Sequence, residues 1–291
     1  MKLALGTVQF GLDYGIANSD GRPSIESVSS ILEIAKNSGV DTLDTAISYG
    51  DSEAVLGDAG IKQFETITKL PFIECSKVEV EQEINNLVEG SLQRLKLERL
   101  EGLLLHRPEQ LLGDLGNEIY LTLLALRDKG LVNKIGVSIY SPSELEGIFG
   151  KFHIDIVQAP LSLIDRRLIE TGWLARLSGT GIEVHARSVF LQGLLLMQQD
   201  KIPGKFTQWK ELILRWHAWL ERNKDVSKAQ ACIGYLKSIT EITKIVVGVD
   251  TPEQLVELVN AYRSNNIKSL DFPNISCSDE RLVHPSNWSS L

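Results

Sequence analysis

Short β-branched or apolar runs alternate along this chain with longer stretches in which apolar residues recur at helical spacing. The runs predict strands over Lys2–Thr7, Asp41–Thr45, Glu65–Lys69, Leu100–His106, Val132–Ser138, Ile154–Gln158, Gly181–Ala186 and Lys244–Gly248. The periodic stretches predict helices near 24–38, 51–60, 78–95, 114–130, 142–150, 166–178, 226–238 and 252–263. Ser24 and Ser143 suit helix starts, where a hydroxyl accepts from unsatisfied N–H groups, and Gly39 and Gly130 suit helix ends. Eight strand–helix pairs with no Pro- or Gly-rich linker predict an α/β chain forming one domain over residues 1–291, a closed (β/α)8 barrel. The rival, an open doubly wound sheet, wants a glycine-rich phosphate-binding turn after its first strand. GTVQFG, which stands there, is not a G-x-G-x-x-G fingerprint.

One interval breaks the rhythm. Between the seventh strand and its helix lies an insertion over 191–225, in which Gln208–Arg222 predicts an extra helix. Its stripe of Leu212, Trp216, Trp219 and Leu220 is expected to pack on the barrel wall, while the insertion as a whole falls at the face where barrel loops build sites. After about residue 264 the chain carries Pro273, Pro285 and Trp288 and reads as an irregular tail.

Composition narrows the partners. With 43% hydrophobic and 23% charged residues the chain is ordinary for a globular protein, and its net charge of −8 argues against tracking nucleic-acid phosphates. No apolar run is long enough to span a bilayer and no signal-peptide pattern opens the chain, so no membrane partner and a cytoplasmic location are expected. Cys75, Cys232 and Cys277 stand apart, which suggests neither disulfides nor a metal site. No exposed apolar stripe can be separated from barrel-packing helices, so the pattern predicts no oligomeric state.

Four residues concentrate the chemistry. Asp44, Tyr49, Lys69 and His106 end or closely follow the second, third and fourth predicted strands, and barrel catalysis takes place at strand C-termini. A phenol, an amine, a carboxylate and an imidazole gathered there form a proton-donating site of the kind needed when hydride arrives at a carbonyl carbon. A free phenol has a pKa of about 10 and is a weak acid near neutrality. Lys69 is expected to lower that value, with Asp44 holding the ammonium and His106 orienting the substrate oxygen.

The stretch LDTAISYGDSEAVLG resembles the aldo-keto reductase pattern of Asp-Thr-Ala-x-x-Tyr-Gly followed by Ser-Glu-x-x-Leu-Gly. TITKL, LLLHRP, LRDKGLVNKIGVS, VQAPLSLIDRR and SVFLQGLLL extend the likeness in order, from GTVQFG through VVGVDTPEQL. The resemblance implies a TIM barrel that binds an extended nicotinamide dinucleotide and reduces a small-molecule aldehyde or ketone, with Asp44, Tyr49 (general acid), Lys69 and His106 as its tetrad. It implies Thr7 and Asp44 near the nicotinamide ribose, and Ser138 and Gln158 on the carboxamide. Arg187 would lie against the nicotinamide, Ser188, Phe190, Gln192 and Gly193 along the pyrophosphate, and Gly248 and Gln254 at the adenosine. The opening GTVQFGLDYGIANSDGRPS is similar to a bacterial subgroup associated with sugar or surface-polysaccharide metabolism, which suggests a sugar-derived carbonyl.

Three positions depart from the family pattern. Ile139 stands where an Asn commonly follows Ser138, and Arg187 where an aromatic usually stacks on the nicotinamide. A guanidinium there is expected to favour the neutral reduced ring over the oxidised cation. Asp250 lies where many relatives hold a 2′-phosphate, and it either meets the cofactor or caps the helix beginning at Pro252. Family habit favours NADP(H); this carboxylate leaves NAD(H) open. Two other classes compete: a cofactor-binding regulatory or assembly subunit with little catalysis, against which the complete tetrad counts, and a metal-dependent barrel lyase, for which clustered carboxylates or histidines at strand ends are lacking.

Overall fold

The computed structural model describes residues 2–18, 21–265 and 270–291. Eight parallel strands, β1 (Leu3–Gly6), β2 (Thr42–Asp44), β3 (Glu65–Leu70), β4 (Leu100–Leu105), β5 (Val132–Ser138), β6 (Ile156–Pro160), β7 (Glu183–Arg187) and β8 (Lys244–Gly248), pair in sequence order. They close where Leu3 of β1 registers with Ile245 of β8, giving the predicted (β/α)8 TIM barrel. The apolar runs are buried because each parallel strand is covered on both faces. Inside, Ile67, Leu104 and Ile156 fill the lumen. They do so because β4 and β5 present glycines beside them: a Cβ on Gly136 would come within 2.6 Å of Leu104 and one on Gly102 within 3.1 Å of Ile156. Lys134 bridges Glu101 and Glu183 at 2.9 and 2.8 Å across β4, β5 and β7 toward their N-terminal ends.

The helices follow the amphipathic stretches: α1 (Val8–Gly11), α2 (Ile25–Ser38), α3 (Ser52–Ala59), α4 (Val80–Leu95) and α5 (Gly116–Asp128) cover the first half. Ser24 accepts from Ser27 N–H at the start of α2, and Gly39 ends it at φ 82°. Two expectations need correction. Helix 142–150 shrinks to a single 3₁₀ turn, Pro142–Leu145, with Ser141 rather than Ser143 at its start. Pro142 fixes the first turn, and Gly150 reverses the chain at φ 85° before an α-helix can propagate. Helix 166–178 splits into α6 (Arg167–Glu170) and α7 (Trp173–Gly179), since Gly172 between them takes φ 77°.

The insertion holds α8 (Lys210–Arg222). Its stacked Trp216 and Trp219 rings are buried, and their indole N–H groups donate to Leu195 O and Asp271 O. That stripe is packing, as expected of it. Then α9 (Lys228–Ser238), β8 and α10 (Pro252–Arg263) complete the barrel. The tail is more ordered than anticipated, with α11 (Glu280–Val283) and a 3₁₀ turn over Pro285–Ser290. Trp288 docks on Phe206 of the insertion, so the tail returns across the barrel mouth. Among the described residues no helix is long and apolar enough to cross a membrane.

Candidate active site

Asp44 ends β2, Lys69 lies in β3, and His106 follows β4, whose N–H donates to Leu70 O, so barrel register alone brings three of the four groups together. Tyr49 arrives differently, on the turn between β2 and α3. Glu53 of α3 is buried and accepts from Thr68 and Ser91 hydroxyls and from Arg94 Nε and Nη2 at 2.6–2.9 Å. That carboxylate fastens α3 to β3 and α4 and so fixes the segment carrying Tyr49. On the other side, Gly11 of α1 backs against the same turn. A Cβ there would stand 1.9 Å from Tyr49 O and 2.5 Å from Ser52 N.

Lys69 is fully buried and spends all three of its protons: on Asp44 Oδ1 at 2.8 Å, Asp44 Oδ2 at 2.9 Å and Thr45 O at 2.8 Å. Gln158 donates Nε2 to Asp44 Oδ1 at 2.7 Å, and Ser138 Oγ lies 3.4 Å from Gln158 Oε1. Thr7 donates its hydroxyl to Asp44 O, and Ser52 reaches back to Thr7. Above this platform the Tyr49 ring lies with Lys69 Nζ 5.1 Å from its centroid and His106 edge-on at 5.9 Å. His106 Nδ1 faces Ser48 Oγ at 3.3 Å.

The electrostatics correct one expectation. Lys69 does not pull the Tyr49 phenol down; burial, and then Asp44, raise it far above the usual tyrosine range, with Arg187 as the cation opposing them. The physical reason is that the Lys69 ammonium faces the phenol across its own neutralising carboxylate. Burial likewise lowers Lys69 itself, against the pull of Asp44. Burial, followed by the Lys69 and Arg187 charges, lowers His106 to about 4. The site therefore presents a neutral phenol and a neutral imidazole at physiological pH.

A cleft of about 930 Å³ opens over the tetrad. Its wall includes Tyr49, His106, Asp44, Thr7, Ser138, Gln158, Arg187, Ser188, Phe190, Gln192, Gly193, Gly248 and Gln254. Of the residues singled out from sequence, Lys69 alone lies beneath the surface, hidden by Asp44. Ile139 buries its side chain completely and takes part through its backbone, its carbonyl accepting Arg187 Nη2 at 2.8 Å. Arg187 stacks on Tyr140 at 4.5 Å and donates Nη1 to Ser188 Oγ. Thr251, not Asp250, caps α10 by accepting from Gln254 N–H; Asp250 instead donates its own N–H to Gln254 Oε1 at 2.7 Å.

Sequence reasoning missed the other contributors. Tyr140 stood two residues after Ser138 and could have been found by extending the strand-end rule. His284, stacked on Tyr140 at 4.2 Å, and Ser286 come from the tail and carried no local signal. Tyr14, Ala17 and Asn18 roof the middle of the cleft: Ile16 N–H donates to Gln192 O, and Asn18 Nδ2 donates to Asp250 Oδ1 at 3.0 Å. Two observations suit an extended dinucleotide with amide and hydroxyl groups. Gln9 Oε1 is buried without a hydrogen-bond partner, and Gly248 leaves open a place where a Cβ would come within 2.4 Å of Gln9.

Comparison with known proteins gives concordant findings. The model of the Aldo/keto reductase family matches residues 2–278. The chain is 27% identical over 264 residues to the Bacillus subtilis protein named uncharacterized oxidoreductase YqkF, covering 82% of this chain and 83% of that one. It is 26% identical over 184 residues to aldo-keto reductase YhdN of the same organism, covering 58% and 53%. The holo form of aldo-keto reductase AKR11C1 from Bacillus halodurans shares the fold with a TM-score of 0.71 at 19% identity, over 90% of this chain and 87% of that one.

Proposed function

The chain belongs to the aldo/keto reductase family, and from that premise we propose that it is a nicotinamide-dependent reductase of a small aldehyde or ketone, with Tyr49 as general acid. One observation carries the reading: the neutral Tyr49 phenol stands at the wall of a large cleft, directly above a buried Asp44–Lys69 pair. A bound nicotinamide would supply the hydride. The chain's own part is to hold a proton where the carbonyl oxygen becomes negative. A phenol raised by burial stays protonated until that charge develops, and then gives up its proton to a stronger base than water. His106, neutral, is suited to accept or donate a hydrogen bond at the same oxygen without competing as an acid. Asp44 and Lys69 fix the platform, and Gln158 and Ser138 extend it toward an amide-bearing ring. Hydroxyl groups of Ser48, Tyr140 and Ser286 near this end favour a polar carbonyl of the sugar-derived kind. A regulatory role without catalysis would need none of the tetrad, and all of it is assembled. A cytoplasmic setting supplies the reduced cofactor such a reaction consumes.

Tyr49→Phe is the test. Removing the hydroxyl should leave cofactor binding within about twofold and lower carbonyl-dependent oxidation of reduced cofactor by roughly 10²–10⁴-fold. Near-normal turnover in that variant would reject Tyr49 as the acid.

A further inference from the structure

The two ends of the cleft differ in charge, and on the reading above that difference selects the cofactor. Hydride must be delivered beside Tyr49, so the nicotinamide half of an extended dinucleotide belongs at that end. Its adenosine half then falls toward the far wall, where Asn18, Gly248, Asp250, Gln254 and Glu257 lie. Among the described residues the cleft wall carries two permanent cations, Arg187 and Lys228. Arg187 is committed to the tetrad end, bonded to Ile139 O and Ser188 and stacked on Tyr140. Lys228 donates to Leu196 O and Met197 O at 3.2 and 2.7 Å, and burial lowers its ammonium. The far wall itself offers two carboxylates. Asp250 is held in place by the Asn18 amide, and Gln254 turns its carbonyl to the Asp250 N–H.

A 2′-phosphate brings roughly −1.5 to −2 charges at neutral pH. It would meet like charge here, whereas a ribose 2′-hydroxyl can donate to a carboxylate. We infer that this cleft rejects the 2′-phosphate and takes NAD(H) in preference to NADP(H), with Asp250 as the discriminating group and Glu257 reinforcing it. This departs from the NADP(H) habit that the family resemblance implied.

The test is equilibrium titration of the purified protein with NADH and with NADPH, followed by quenching of tryptophan fluorescence at two ionic strengths. NADH should bind at least about tenfold more tightly at low salt, and added salt should narrow the ratio, because it screens the repulsion of the extra phosphate. Asp250→Asn retains an acceptor for Asn18 while removing the charge, and should bring NADPH roughly fivefold closer to NADH; Glu257→Gln should do so by less. Lys228→Met should leave the ratio within about twofold. Equal or tighter binding of NADPH would overturn the inference and leave the reductase reading standing. So would a ratio that widens with salt, or loss of NADPH binding in Lys228→Met. Binding of neither nucleotide would overturn both.

Discussion

Replacing Lys69 by Met tests what the buried ion pair does. The thioether keeps much of the lysine stem's volume but removes the ammonium that satisfies both Asp44 oxygens and Thr45 O. Asp44, 7% exposed at its side chain, then keeps the Gln158 amide and loses its counter-ion. Breaking a buried pair from one side costs about 3–5 kcal/mol, because a charge is left uncompensated out of water. An unfolding entropy of roughly 2.1 cal/mol/K per residue over 291 residues gives about 0.6 kcal/mol/K. The expected fall in melting temperature is therefore about 5–8 °C. Thermal unfolding by circular dichroism and a urea titration read it directly. The decisive comparison is the double variant Lys69→Met/Asp44→Leu, in which no charge is orphaned. It should be more stable than Lys69→Met alone, with a coupling of about 2 kcal/mol or more. A single variant that melts within about 2 °C of the parent, or a double variant whose loss equals the sum of the two singles, would refute the account.

Two further outcomes follow from the same neighbourhood. In Gly11→Ala the new methyl collides with backbone atoms of Tyr49 and Ser52, so the turn carrying the phenol must shift; kcat should fall about a hundredfold with the circular-dichroism spectrum retained, and an unchanged kcat would show that the close approach does not position Tyr49. His106 is about 4 in the folded protein against about 6.5 unfolded, so below pH 6.5 the unfolded chain takes up a proton that the native site refuses. Its contribution is complete above pH 6.5 and is lost as pH falls toward 4, an upper bound of about 3 kcal/mol, and His106→Gln should flatten the urea-midpoint profile across that window. An unaltered profile in the variant would place the acid sensitivity elsewhere.

The catalytic set was legible because barrel geometry converts a one-dimensional regularity into a three-dimensional one. Residues at the C-terminal ends of parallel strands converge on one face, so Asp44, Lys69 and His106 could be grouped from strand ends alone. The motif around Tyr49 added the fourth. Helix 142–150 misled because its apolar spacing is real but too short, and Pro142 and Gly150 outweigh it. Arg187 shows the other limit. Its position on β7 was readable, yet its partners Ile139, Tyr140 and Ser188 were not, since a long side chain's direction is decided by what packs around it.

By itself, then, the sequence determined the alternation of strands and helices, the closed barrel and the strand-end residues that carry the chemistry. Those properties depend on hydrophobic period and on the chirality of parallel crossovers, both local or nearly so. Tertiary structure alone decided that Lys69 has no proton left for Tyr49, that the tail brings His284 and Ser286 to the cleft, and that Asn18 pins Asp250 at its far end. Each is a contact between segments far apart in the chain or a saturation of donors by a particular geometry. Neither leaves a periodic trace in the sequence.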